Sequence, residues 1–350
     1  MRSASKRHCN AGFSLVELMV GMVLGLMLVA GAVSIYLATK RSYVEVEQVA
    51  ALTENARFAE QIMGDSLRQA GFLGEVTANK VEVDPDLVAT PLAGDCSTPA
   101  EAGAYDLTRL GYAATVAADG TALGCISDGL EGTDVLVIKR ALPRPYSAGP
   151  RVSDPNDPPG GTIDTPGPLQ NGRTYVMTNN VTGLLFDGAS PPSITTGGEV
   201  PGGTAWEYQY EVYYVKRANP ADVPMLSRRV LSYNPGTSSM EFTTEDLAEG
   251  VEDLQLLFGY DSTGNGEVDT YKDQAAIAAG NWPNVESVEV FMLVRSATRD
   301  VQYIDEKTYQ LGGVTVGPDD RSDDEKNYRR LVSHASVSLR NLKLMIRGDA

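Results

Sequence analysis

The sequence predicts an α+β protein, in which one long N-terminal α-helix, membrane-spanning in its first half, packs against a mainly antiparallel β-sheet domain. Three observations predict it. A run without charge extends from Leu18 to Thr39. Apolar and small positions then recur at spacings of three and four through Tyr43, Val46, Val49, Ala50, Thr53, Ala56, Ala59, Ile62, Met63, Ser66 and Leu67, which is the period of an amphipathic helix. Beyond Gly74 the pattern changes to the alternation of strands.

The first element begins with Arg2, Lys6 and Arg7, a basic leader, followed by Gly12-Phe13-Ser14-Leu15-Val16-Glu17. Glu17 puts one carboxylate at the mouth of an apolar helix. Such a group is costly in a bilayer and is usually paired. If the chain is cut between Gly12 and Phe13, Glu17 becomes the fifth residue, and the new α-amino group of Phe13 on an adjacent chain is a partner of opposite charge. Two other readings use the same residues. One is a secretory signal cleaved at Ala30-Gly31-Ala32, against which stand the length of the run, Glu17 and the lack of a polar break after Ala32. The other is a plain anchor, since the run is long enough for a bilayer core of ~30 Å.

The helix should continue well past the membrane. Its second half carries Lys40, Arg41, Glu45, Glu47, Glu54, Arg57, Glu60 and Arg68 and presents one apolar stripe to a partner domain. A single helix from Ser14 to about Ala70 would measure roughly 85 Å. No proline occurs before Pro85, and Gly71 and Gly74 are the stop signals. Gly21 and Gly25 form a small-xxx-small spacing that lets another helix approach, although glycine is also simply common in membrane helices. The expected segments are therefore a leader over 1–12, a membrane half over 13–39, an amphipathic half over 40–74, and a β-rich domain over 75–350.

Within that domain, Asp134–Arg140, Trp206–Val215, Leu226–Tyr233, Val251–Tyr260, Val285–Val294 and Ser333–Leu344 read as strands. In Val285–Val294, Val288, Val290, Met292 and Val294 line one face while Phe291 and Leu293 line the other, which predicts a central strand covered on both sides. Residues 143–168 and 187–203 are dense in proline and glycine and read as surface loops or a boundary between sheet units.

The chain is acidic, with a formal charge of −17; discarding Arg2, Lys6 and Arg7 takes it to −20. That surface disfavours nucleic acid and favours solubility, basic partners or divalent cations. Cys9 lies in the leader, leaving Cys96 and Cys125 as an even pair in an exported domain, read as one disulfide. Asp261, Thr263, Asn265, Glu267 and Asp269 place oxygen side chains at alternating positions around Gly266, a spacing that resembles the Ca²⁺ loop of an EF-hand. Lys272 stands where that loop expects a bidentate Glu, and a polar turn between two strands is the other reading. Catalytic residues are not expected. His8 lies in the leader, His334 sits in an alternating strand, and there is no phosphate-binding glycine loop, Gly-x-Ser-x-Gly elbow or Cys-x-x-Cys. No cofactor is required, Ca²⁺ being the one candidate ligand.

The stretch from Gly12 to Gly21 resembles the class III signal of type IV pilins and type II secretion pseudopilins. The resemblance implies that a prepilin peptidase cleaves after Gly12 and N-methylates Phe13, and that Glu17 guides subunit registration. Later segments are similar to the PilW family of minor type IV pilins: Ser66–Phe72, Gly132–Leu136, Trp282 ahead of Val285–Ser296, and Val337–Leu342. The family implies a noncatalytic minor pilin, held first in the inner membrane with its domain in the periplasm and later in a pilus on the cell surface. It also implies a role in priming assembly with other minor and major pilins through the N-terminal helix, and with a tip adhesin, in support of adhesion and twitching motility. A type II secretion minor pseudopilin and a membrane-tethered ligand-binding domain that does not polymerise are the alternatives.

Overall fold

The computed structural model describes residues 14–89, 91–148, 169–217, 219 and 222–341. Two compact units divide at Ala50 and Ala51. Helix α1 runs without interruption over Leu15–Gln69 and so belongs to both. The remaining elements are β1 (Val81–Val83), α2 (Pro85–Ala89), β2 (Gly111–Thr115), β3 (Asp134–Ala148), β4 (Thr174–Thr178), β5 (Gly183–Asp187), β6 (Thr204–Lys216), β7 (Met225–Asn234), β8 (Ser239–Glu249), β9 (Val251–Tyr260), β10 (Thr270–Lys272), β11 (Val285–Arg295), β12 (Tyr309–Leu311), β13 (Val314–Val316) and β14 (Arg330–Ser338).

In the first unit α1 is exposed along almost its whole length. Its hydroxyls are satisfied within the helix, Ser34 Oγ donating to Gly31 O at 2.8 Å and Thr39 Oγ1 to Ile35 O at 2.9 Å.

In the second unit α1 buries Leu52, Ala56, Ala59, Met63 and Leu67, one stripe at helical spacing. The expected stripe is thus covered only in its later part. Tyr43, Val46 and Val49 are exposed, and burial begins at Leu52, which lies outside the series of expected stripe positions. Three side chains add polar contacts: Asn55 to Glu249 O, Glu60 to Ser333 Oγ, and Ser66 to the Tyr213 hydroxyl. The helix ends as predicted at Gly71, whose φ of +78° is a left-handed conformation that favours glycine. Asn341 donates to the last carbonyls, Arg68 O and Ala70 O.

Two main sheets meet this stripe. The larger has the order β1-β5-β4-β6-β3-β2, with β7 on β6 and β8 on β7. The thirteen residues of β6 organise it: β3 lies along one edge, while β4 and then β7 share the other. All its pairs are antiparallel except β1 with β5. The smaller sheet is β10-β9-β11-β14, antiparallel throughout. One hydrophobic cluster joins the α1 stripe to Leu136, Ile138, Tyr213 and Leu226 of the large sheet and to Leu254, Phe258, Val290 and Met292 of the small one. A second fills the opposite face of the large sheet beneath residues 73–126.

The strand β11 is central and covered on both sides, as its two-faced pattern predicts: Val288, Val290, Met292 and Val294 face the α1 cluster, and Phe291 and Leu293 pack with Tyr309 and Leu311 of the β12–β13 hairpin. Two expectations change. Residues 143–148 are strand, not loop, because β3 continues to Ala148, with Pro145 opposite Trp206 between two register shifts where the ladder tolerates a missing donor. The last strand ends at Ser338, and residues 342–344 lie outside the described residues, as do 149–168.

Candidate assembly helix and its anchorage

The sequence places three functional positions at the start of the chain, Gly12, Phe13 and Glu17, and the described residues include Glu17. Gly12 and Phe13, the processing positions, lie outside the described residues. Ser14 and Glu17 are resolved as a reciprocal cap. Glu17 Oε2 accepts from the Ser14 amide at 3.1 Å, and Ser14 Oγ accepts from the Val16 amide at 3.2 Å. This is the Ser-x-x-Glu arrangement that satisfies the amides left open at a helix N-terminus, where a carboxylate is also favoured by the helix dipole. The signal for this cap lies in Ser14-Leu15-Val16-Glu17, whereas the charge of Glu17 alone points only to a partner on another chain.

From Leu15 to Thr39 the helix rises about 37 Å, against a hydrocarbon core of ~30 Å. It is long and apolar enough to cross a membrane by length and composition. None of its large apolar side chains is covered by this chain: Leu15 is 74% exposed, Leu26 69% and Leu28 75%. A Cβ added at Gly21 or Gly25 would meet nothing within 4 Å, so that face is open to a neighbouring helix.

The later part of α1 is anchored by a buried polar network. Ser66 Oγ lies 2.8 Å from the Tyr213 hydroxyl, which donates to Glu211 Oε2 at 3.3 Å. Glu211, fully buried, also accepts from Arg228 Nη1 at 2.8 Å and Arg140 Nη2 at 3.4 Å. Arg140 closes the circuit through Gln69 Oε1 at 2.7 Å. Burial and the Glu211 charge push the Tyr213 hydroxyl up to about 12. On the other face of β3, Lys139 is enclosed and donates to Glu101 O at 2.7 Å and Asp106 O at 2.5 Å; burial lowers its ammonium to about 7, although Asp106, Asp95 and Glu101 oppose that shift. None of these partners is adjacent in sequence, so no motif announces them.

Cys96 and Cys125 form a disulfide with Cα atoms 4.8 Å apart, inside the segment that covers the outer face of the large sheet. A second polar cluster holds the excursion between β11 and β14: Asp305, fully buried, accepts from Arg330 Nη1 at 3.1 Å and from the Tyr309 hydroxyl at 3.0 Å and pairs with Arg321, while Arg330 also pairs with Glu252.

The 261–269 loop joins β9 to β10. Asp261 accepts from the amides of Thr263 (3.0 Å), Gly264 (2.6 Å) and Gly266 (2.5 Å). Desolvation raises its carboxyl, but those amides outweigh it and hold it below the usual range. Asp269 accepts from the amide and hydroxyl of Ser262 and from the Thr263 amide. Asn265 Oδ1 accepts from the Glu267 amide at 2.8 Å, and Lys272 sits 3.9 Å over the Tyr260 ring. Among the described residues there is no group of three or more His, Cys, Asp or Glu side chains placed to hold a metal ion. A polar turn accounts for each of these bonds. His334, on the surface of the small sheet, stacks on Phe291 at 4.4 Å and lies 3.3 Å from Glu289.

Comparison with known proteins adds to this geometry. Residues 7–33 match the family model of the prokaryotic N-terminal methylation motif, and residues 212–341 match that of the type IV pilus-assembly protein W. The second match spans the end of β6 through the whole small sheet, so it covers the small-sheet side of the seam in which the α1 stripe packs, together with Tyr213 and Leu226 of the large sheet, while Leu136 and Ile138 lie outside it. No curated protein matches the chain in sequence. Among solved structures, a type IV-like pilin from Thermus thermophilus aligns at 12% identity with a TM-score of 0.23, over 49% of this chain and 86% of that one. Over two separate stretches, then, the chain is similar to known families: to the N-terminal methylation motif where the uncovered apolar helix begins, and to the type IV pilus-assembly protein W over the later part of the domain that grips the helix's far end.

Proposed function

We propose that the protein is a minor pilin, a structural subunit that helps to prime a type IV pilus. The observation that carries this reading is the bare apolar half of α1, which has one acid in its first turn and falls mostly within the match to the methylation motif. In this reading prepilin peptidase cleaves after Gly12 and methylates Phe13. The helix waits in the inner membrane with the domain in the periplasm, then leaves lipid for a core of like helices from other minor and major pilins, so that no hydrocarbon faces water at either stage. Glu17 caps its own helix through Oε2, and a carboxylate accepts several bonds, so it can also receive the α-ammonium of a neighbour's Phe13. Contact with a tip adhesin, and hence adhesion and twitching motility, extends the reading by analogy with the family.

Two measurements test it. Mass spectrometry of the mature chain should find N-methylated Phe13 as the first residue. Glu17→Ala should leave the protein in the membrane while removing it from sheared pili. If pili persist and exoprotein release is lost, the filament is a secretion pseudopilus. If neither changes, the domain is merely tethered.

A further inference from the structure

The seam that holds α1 ends in an apolar cavity of about 220 Å³. Leu67 and Ala70, at and just after the end of α1, form one wall, Ile138 of the large sheet and Phe258 of the small sheet form others, and Leu339 follows β14 into the lining. Trp282 completes it, edge-on to Phe258 with ring centroids 5.0 Å apart. Protein interiors are close-packed, with few voids larger than a water molecule, and the walls of an unfilled space forgo dispersion contacts. A cavity of ~150 Å³ already holds a benzene ring, so this one has room for one large aliphatic side chain and part of a second.

The chain passes out of the described residues beside this cavity. Leu339 is buried in its lining, and Asn341, the last described residue, donates from Nδ2 to Ala70 O at 3.3 Å and to Arg68 O at 3.4 Å. Ala70 is itself a wall, so the position of Asn341 is fixed against the cavity. The sequence then reads Leu342-Lys343-Leu344-Met345-Ile346, four large apolar residues around one cation. Consecutive Cα atoms are about 3.8 Å apart, and three residues of extended chain span at most about 11 Å, so Leu342 and Leu344 are both tethered close to the walls.

We propose that residues 342–346 plug this cavity, with Leu342 and Leu344 inside it and Lys343 turned to solvent. Alternate residues of an extended chain point to opposite sides, so the two leucines share a side that the ammonium does not. Seated there, they pack on Trp282, Leu67 and Ala70 and take their own apolar surface out of water. The plug closes the end of the seam on α1, and it stands whether or not Glu17 acts in assembly.

Methyl NMR of the full-length protein in detergent micelles tests the plug directly. The Leu342 and Leu344 methyl resonances, assigned by their loss in Leu342→Val and Leu344→Val, should show NOEs to the Trp282 indole and lie upfield of their free-chain positions. A chain stopped after Asn341 should lower the urea midpoint and shift the Trp282 emission to the red in a Trp206→Phe background, whereas a chain stopped after Ile346 should do neither. The proposal is overturned if both leucines keep free-chain shifts without those NOEs, if the indole shows NOEs to detergent chains in their place, or if stopping after Asn341 has the same effect as stopping after Ile346.

Discussion

Glu211 is the position where the grip on α1 is most open to a quantitative challenge. Glu211→Ala removes a fully buried carboxylate that two guanidinium groups and a tyrosine hydroxyl share. Arg228 keeps its pair with Glu245, so the deficit falls on Arg140, whose side chain is 8% exposed and whose Nε is already buried without a hydrogen-bond partner. Breaking a buried pair from one side costs about 3–5 kcal/mol, because the remaining charge is left uncompensated. The surviving Arg228–Glu245 pair argues for the lower part of that range. Tyr213→Phe, by contrast, removes only the hydroxyl's bonds to Ser66 and Glu211 and should cost about 1 kcal/mol. Equilibrium unfolding of the full-length protein in urea and mild detergent, followed by intrinsic fluorescence, measures both. If Glu211→Ala costs under ~1 kcal/mol, the value of an exposed ion pair, the network does not anchor α1.

Other perturbations have equally definite outcomes. Replacing Cys96 and Cys125 together by serine opens a crosslink of sequence separation 29 and should lower stability by about 3.5 kcal/mol on the chain-entropy estimate; an unchanged urea midpoint would contradict that. Lys139, held at about 7 when folded against an ordinary 10.5, binds fewer protons folded than unfolded between those values, so its contribution to stability rises with pH across that window and is lost as pH falls through about 7. The stability of the wild type relative to Lys139→Met should therefore climb by about 1.4 kcal/mol per pH unit above neutrality, and a flat difference would refute the burial-lowered ammonium. Asp261→Ala should free the Thr263, Gly264 and Gly266 amides to exchange, with or without Ca²⁺. Ca²⁺-dependent protection in the wild type that vanishes in the variant would instead establish the 261–269 loop as a metal site.

The features legible in the sequence were those set by local pattern. A charge-free run followed by three-and-four spacing gives α1, the alternation in Val251–Tyr260 gives β9 at both ends, and the two apolar faces of β11 predict its central place. The strands that escaped reading had other reasons to be strands. β8 carries four acids because it is an exposed edge, and β1 pairs with β5 across about a hundred residues that no local period can bridge. Residues 143–148 looked like loop because proline is rare inside sheets, yet Pro145 sits where the β3–β6 register slips. At the site, the Glu17 charge was plain and its cap was written in Ser14-x-x-Glu17, whereas Glu211 meets Arg140 over 71 positions of sequence. Long-range ion pairs are decided by topology, and topology is what short patterns do not encode.

The seam filled by Leu52–Leu67 also governs how the protein can be handled. Because that stripe supplies interior atoms to both sheets at once, a fragment trimmed to begin after Gly71 would expose the inner surface of each and should precipitate. The place to cut for a water-soluble fragment is between Thr39 and Leu52, which discards the oily span while keeping the wedge that holds the two halves of the globule shut.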